Sequence, residues 1–178
     1  MVKRILVISD THGAFERTRQ IFNNCGRFDL IVHCGDYLNH GPRNPIPDDY
    51  DPLSLSAILK EFSYVICGVR GNCDSDVDAL LIGKKRLPWS RTINLQGVNI
   101  FISHGHEIEK TPFSRGIAIN GHSHVSEIKR LEEVLSLNPG SVALPKDRSG
   151  GSYGIIDLSE RVVFLVSLTG KILDRTVF

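Results

Sequence analysis

Five short apolar runs in this chain each lead into a side chain able to hold a metal ion. Ile5 to Ile8 is followed by Asp10-Thr11-His12, Leu30 to Cys34 by Gly35-Asp36, and Tyr64 to Cys67 by Gly71-Asn72. Val98 to Ser103 leads into His104-Gly105-His106, and Ile117 to Asn120 into Gly121-His122-Ser123-His124. Any one of these residues alone reads as an ordinary turn or strand-end cap. Five in series do not, because ligands of open α/β sheets gather beyond the carboxyl ends of the strands, where these motifs should meet. The D-x-H and H-x-H spacings suit the same purpose: on extended backbone, side chains two apart point the same way. The donors are two carboxylates, one amide oxygen and three or four imidazoles, without thiolates. That set fits a borderline divalent ion such as manganese, iron, zinc or nickel, whereas calcium would want more oxygens.

The elements that must position these residues are legible as apolar runs bounded by Gly or polar residues, the pattern of strands buried on both faces. Strands are predicted at Lys3–Ser9, Leu30–Cys34, Tyr64–Cys67, Val98–Ser103 and Ile117–Asn120. Helical patterns at Phe15–Cys25 and Leu53–Phe62 fall between the first three, which predicts right-handed βαβ crossovers. Beyond Ser126 the pattern changes to short strands at Ile128–Leu131, Val134–Leu137, Ser152–Leu158, Val162–Ser167 and Ile172–Val177, joined by brief turns as antiparallel hairpins are. Two packed sheets flanked by helices follow. The irregular stretch Leu38–Pro52 holds four of the eight prolines and reads as a functional loop.

At 178 residues the chain suits a single domain, 1–178. With 21 basic and 20 acidic side chains it lacks the basic excess of a protein that tracks nucleic acid, so no nucleic-acid polymer is expected as partner. Lys84-Lys85-Arg86 reads as a solvated loop face. The apolar start ends at Ser9-Asp10, too soon for a secretory signal, and no run approaches the roughly 18 apolar residues of a membrane span. A cytoplasmic protein with no membrane partner is expected. Cys25, Cys34, Cys67 and Cys73 contain no C-x-x-C pair, and reduced thiols are expected.

In order and spacing, Asp10-x-His12, Gly35-Asp36, Gly71-Asn72-Cys73-Asp74, His104-Gly105-His106 and Gly121-His122-Ser123-His124 resemble the block motifs of the calcineurin-like metallophosphoesterases. Leu38-Asn39-His40-Gly41-Pro42-Arg43-Asn44, Arg70 to Ser75 and Asn138-Pro139-Gly140-Ser141-Val142 narrow the resemblance to the small bacterial YfcE-type phosphodiesterases. The resemblance spans Ile5 to at least Tyr153. It implies an α/β fold, a four-layer αββα sandwich, with two divalent ions at the sheet edge. Manganese is a frequent working metal in that family; iron, zinc, nickel and cobalt are the alternatives. Carried over by position, Asp10, His12, Asp36 and His124 hold one ion, Asp36 bridges, and Asn72, His104 and His122 complete the other.

The activity so implied is hydrolysis of a small phosphodiester by in-line attack of a hydroxide shared between two ions about 3.5 to 4 Å apart. Charge balances: two divalent ions offset two carboxylates, one hydroxide and one phosphodiester. Neither Ser123 nor Cys73 is then needed as a nucleophile. Many relatives carry His where this chain has Cys73, a poor stand-in for an imidazolium, so His40 or His106 is the candidate proton donor to the leaving oxygen. Asn39 and Arg43 are candidate substrate contacts, and His33 reads as a core imidazole. Trp89 fits either a packing anchor or an oligomer contact. Two other functions share the motifs: phosphomonoester hydrolysis on the same metal core, and a non-catalytic scaffold like the retromer subunit. The intact His12, lost in that scaffold, argues against the latter. A homo-oligomer, dimer or tetramer, is suggested by the family likeness alone.

Overall fold

A computed structural model describes residues 2–106 and 111–178. The first strand, β1 (Arg4–Ile8), alternates between two layers. Ile5 and Val7 point toward a second sheet, and Leu6 and Ile8 toward helices. Burial on both sides explains its unbroken apolar run. A crossover through α1 (Phe15–Asn24) sets β2 (Leu30–His33) parallel to β1, with Ile5 opposite Leu30 and Ile8 opposite His33. A further crossover through α2 (Pro52–Glu61) adds β3 (Ile66–Gly68), again parallel. Helix α2 starts where the local chemistry demands it: Asp51 accepts from the Ser54 N–H at 3.0 Å, and Pro52 occupies the first turn, where its missing N–H costs nothing.

The chain then leaves this sheet. After α3 (Asp76–Leu81) come β4 (Ser90–Leu95), β5 (Val98–Ser103), β6 (Gly116–Ile119), β7 (Ser126–Leu131) and β8 (Val134–Pro139). They build a five-stranded mixed sheet in the order β4-β5-β6-β8-β7. Finally β9 (Ser152–Asp157), β10 (Val162–Ser167) and β11 (Ile172–Val177) return to the first sheet, β9 lying antiparallel to β1. The completed six-stranded order is β11-β10-β9-β1-β2-β3. One apolar core fills the space between the sheets, from Val7 and Val32 to Ile100, Ile119 and Leu137. A second lies between the six-stranded sheet and the helices, around Leu6, Ile21, Leu55 and Leu59.

Two elements went unanticipated. Helix α3 has only six residues, too few to show a helical period, and is marked by its capping box, Ser75 with Asp78. Strand β4 is an edge strand whose residues are half or fully exposed, so it has no apolar run. The structure also shortens the third predicted strand: Tyr64 and Val65 belong to a 3-10 turn, and extension begins at Ile66. Of the basic cluster, Lys85 and Arg86 are exposed as expected. Lys84 is half-buried: its ammonium donates to the carbonyl oxygens of Ser63 and Ile66, the latter at 2.9 Å, and ties the end of α3 to β3. The described helices pack on the six-stranded sheet, and the two mixed sheets form the expected α/β sandwich.

Candidate metal centre

β1, β2 and β3 of one sheet and β5 and β6 of the other end on the same side, so the five motifs meet across the seam between the sheets. His124 Nε2 lies 3.2 Å from Asp10 Oδ1, and His12 Nε2 3.8 Å from it. His12 Nε2 is also 3.7 Å from Asp36 Oδ2, which His104 Nε2 approaches to 3.4 Å. His104 Nε2 in turn lies 3.0 Å from Asn72 Oδ1 and 3.3 Å from His122 Nδ1. Asp36 thus stands between an Asp10-His12-His124 group and an Asn72-His104-His122 group. Those are the residues the sequence put forward.

The imidazoles are oriented from behind. Nδ1–H of His12 donates to the Asn39 carbonyl at 2.8 Å, that of His104 to Cys34 at 2.7 Å, and that of His124 to Leu144 at 2.7 Å. With the proton on Nδ1, each Nε2 turns a lone pair inward, the arrangement that prepares a histidine for a cation. Lone pairs then face one another: His12 and His124 Nε2 are 3.4 Å apart. Asp10 Oδ2 accepts from the Ser9 hydroxyl at 2.5 Å and the His122 N–H at 3.0 Å, while Oδ1, fully buried, has no hydrogen-bond partner among the described residues. A buried carboxylate oxygen left unpaired costs about 1–3 kcal/mol or more. These residues fit divalent cations, which would satisfy the orphaned oxygen and the opposed nitrogens together.

Electrostatics match. Burial alone would raise the carboxyl of Asp10, but His124 and His104 outweigh it and hold it below the ordinary value. Asp36 is likewise held low, burial again being overcome, here by His104. Burial presses His104 down, yet Asp36 and Asp10 raise it to about 9. The same field that attracts a proton to His104 would attract a metal ion in its place.

The backbone shows where the site was forced. Asp10, His12, Asp36, His122 and His124 all have φ between 40° and 64°, the left-handed region. Such a conformation costs a non-glycine residue roughly 1 kcal/mol or more, and strain of this kind gathers at functional sites. Two glycines allow the close packing this requires. A Cβ on Gly71 would fall onto the Asp36 carboxylate, and one on Gly121 onto the Ser9 hydroxyl.

Several supports lie outside the ligand set. The buried Asp74 carboxylate accepts from the N–H groups of Asp36 at 2.9 Å, Tyr37 at 2.7 Å and Gly71 at 2.7 Å, knitting two ligand loops together. Burial pushes its carboxyl up to about 7 despite those three donors. The Asn138 amide donates to the Gly121 carbonyl at 2.8 Å and the Ser123 hydroxyl at 3.0 Å, and the Ser141 hydroxyl donates to the Asp10 carbonyl at 2.9 Å. The turn motif Asn138 to Ser141 thus forms the floor of the site. Its signal was present in the sequence, but nothing local told which loops it would bind.

Other named residues sort by place. Arg43 lines a cleft of about 690 Å³ above the cage, together with Cys73, His122 and Lys146, the last not anticipated. Asn39 is exposed; its Oδ1 accepts from the Gly41 N–H at 2.7 Å, and its carbonyl holds His12. His106 packs beside the cage, its ring 5.4 Å from that of His104 and 6.0 Å from that of His122. His40 instead meets Tyr50 edge-on at 5.5 Å. Trp89 lies 5.6 Å from the His106 ring, with the Arg70 guanidinium over it. His33 is a buried imidazole outside the cage, bonded to Thr11 and stacked on Tyr37. Cys73 stands close to the cage: ligand atoms of His12, Asp36 and Cys73 lie within 4.8 Å of one another. Burial, with Asp36 next, pushes the Cys73 thiol up to about 12.

Two facing mixed sheets with carboxylates, an amide and imidazoles converging at their shared edge define a metal-dependent hydrolase. A profile of the Calcineurin-like phosphoesterase superfamily domain matches residues 4–161, and the chain belongs to that superfamily. It is 36% identical over 162 residues to Phosphodiesterase YfcE of Escherichia coli strain K12, covering 86% of this chain and 87% of that one. A probable metallophosphoesterase, YsnB of Bacillus subtilis, is 29% identical over 171 residues, 86% of this chain and 83% of the relative. Among solved structures, YfcE, a phosphoesterase from E. coli, superposes with a TM-score of 0.88 at 32% identity, covering 98% of both chains. Vps29 from Entamoeba histolytica, crystallised with zinc, shares the fold at a TM-score of 0.61 and 20% identity, over 97% of this chain and 98% of that one. The chain is a phosphoesterase by family.

Proposed function

We propose that this phosphoesterase hydrolyses small phosphodiesters with two divalent metal ions, manganese foremost. The observation that carries the reading is the unpartnered Asp10 Oδ1 facing opposed imidazole nitrogens, with Asp36 between the two ligand groups. Bound there, a metal pair would supply an activated water and Lewis-acid polarisation of the phosphoryl oxygens. Asp10, His12 and His124 would hold one ion and Asn72, His104 and His122 the other, with Asp36 shared. The carbonyls of Asn39, Cys34 and Leu144 fix the ligand rings, so little rearrangement is needed during turnover. Arg43 and Lys146 at the cleft rim would attract the substrate anion. His106, beside the cage, is better placed than His40 to protonate a leaving oxygen. The identity to a phosphodiesterase supports the diester over the monoester, and the intact His12 supports an enzyme over a scaffold.

We assign the protein to the cytoplasm on its four unpaired cysteines. Among the described residues no helix is long and apolar enough to cross a membrane. The test is to strip the protein with chelator, restore manganese, and compare an aryl phosphodiester with the aryl phosphomonoester. Faster diester cleavage is expected; a monoester preference would transfer the assignment to the alternative activity, and no metal uptake would end it.

A further inference from the structure

The mechanism above has no task for the sulfur of Cys73, yet that sulfur is held at the cage. A Cβ on Gly41 would collide with Sγ, so only a glycine there, at φ 79°, lets the loop close over the thiol. The Asn72 side-chain N–H lies 3.2 Å from Sγ, and Cys73 lines the cleft. Its backbone N–H donates to Asp36 Oδ1 at 2.8 Å, which locks it to the carboxylate shared by the two ligand groups. Sγ, a ring nitrogen of His12 and a carboxylate oxygen of Asp36 lie within 4.8 Å of one another. An independent sign of a missing cation is close by: the orphaned Asp10 Oδ1, 3.8 Å from His12 Nε2.

We propose that Cys73, His12 and Asp36 form a second donor set within the centre, one that captures thiophilic divalent ions such as cadmium and zinc through a metal–sulfur bond. It rests on the metal-cage reading and extends it. A hard ion such as manganese prefers the oxygen and nitrogen donors and leaves the S–H intact. A soft ion bonds the sulfur, and the displaced proton passes to solvent. The cage would thus select its coordination by the softness of the ion, and a histidine at position 73 would lack that discrimination.

The test titrates chelator-stripped protein with cadmium and follows the ultraviolet thiolate-to-cadmium charge-transfer band, in wild type and in Cys73→Ser. The other cysteines belong to none of the donor groups found among the described residues, and Cys25 and Cys34 are buried. The band should appear in wild type and vanish in the variant, with cadmium affinity falling about tenfold or more, while manganese affinity changes less. Cadmium-113 NMR of the wild type gives the same information without a variant: a sulfur-shifted resonance supports the proposal. Cadmium uptake with oxygen- and nitrogen-type signals only, or a band that persists in Cys73→Ser, overturns it. If the stripped protein takes up neither manganese nor cadmium, the cage reading itself has failed, which metal analysis distinguishes.

Discussion

At the scale of single residues, two substitutions separate positioning from chemistry. Gly71→Ala drives a methyl group into the Asp36 carboxylate, so the shared ligand must move. A displacement of about 1 Å at a reacting centre costs on the order of 100-fold in rate. Turnover should fall at least that far while circular dichroism shows the fold retained; an unchanged kcat would show that Asp36 does not need its present position. His106 and His40 differ in place, the one against His104 and His122, the other against Tyr50. With an alkyl diester, whose leaving oxygen needs a proton, His106→Ala should lower kcat by roughly 100-fold or more, in the range typical of general acids. An activated aryl diester should be affected much less, and His40→Ala little with either. Equal behaviour of the two variants on the alkyl diester would remove His106 from the role.

At the scale of elements, β2 runs from core into site through His33. Its Nε2–H donates to the Thr11 hydroxyl at 3.0 Å, its Nδ1 accepts from the Gly35 N–H at 3.2 Å, and Thr11 passes its own proton to the Tyr37 carbonyl at 2.8 Å. This chain of bonds admits only the neutral ring, and burial lowers the pKa of His33 to about 3. Unfolded, the ring binds a proton near its ordinary 6.5. The stabilisation is therefore fully present above about 6.5 and is lost as pH falls toward 3, at up to ~1.4 kcal/mol per pH unit. Urea midpoints of the metal-free protein between pH 4 and 7 should show that slope, and His33→Gln should flatten it. In the β8 turn, Asn138→Ala removes two hydrogen bonds from the loop carrying His122 and His124. The Gly121 carbonyl keeps the Ser123 N–H at 2.7 Å, so the cost is that of the two lost bonds, about 0.5–1.5 kcal/mol each, read in the same unfolding experiment.

For the whole molecule, the metal-free state carries stored cost: five ligands in left-handed backbone and an unpaired buried oxygen. Cations that bind only the folded chain stabilise it by mass action, about 2.7 kcal/mol per site at a hundredfold excess over Kd. Chelation should therefore lower Tm by several degrees and manganese restore it. A Tm indifferent to metal would mean that the native site binds none.

Much of this organisation follows from local physical chemistry. Burial on both faces made β1, β2, β5 and β10 visible as apolar runs, and the motif at each strand end could be recognised by its residue types and order, although Asp10, His12, His122 and His124 converge through left-handed backbone and not through the extended spacing expected of them. Two elements stayed hidden: β4 lies exposed at an edge, and α3 is shorter than two helical turns. What only the tertiary structure decided were relations between distant segments. That β9 returns beside β1, that Asp74 ties the Asp36 loop to the Gly71 loop, that Asn138 braces Gly121, and that the Cys73 thiol lies among the ligands all depend on packing. Backbone hydrogen bonds and close contacts between remote loops leave no periodic trace in a sequence, so they are settled only when the two sheets close on one another.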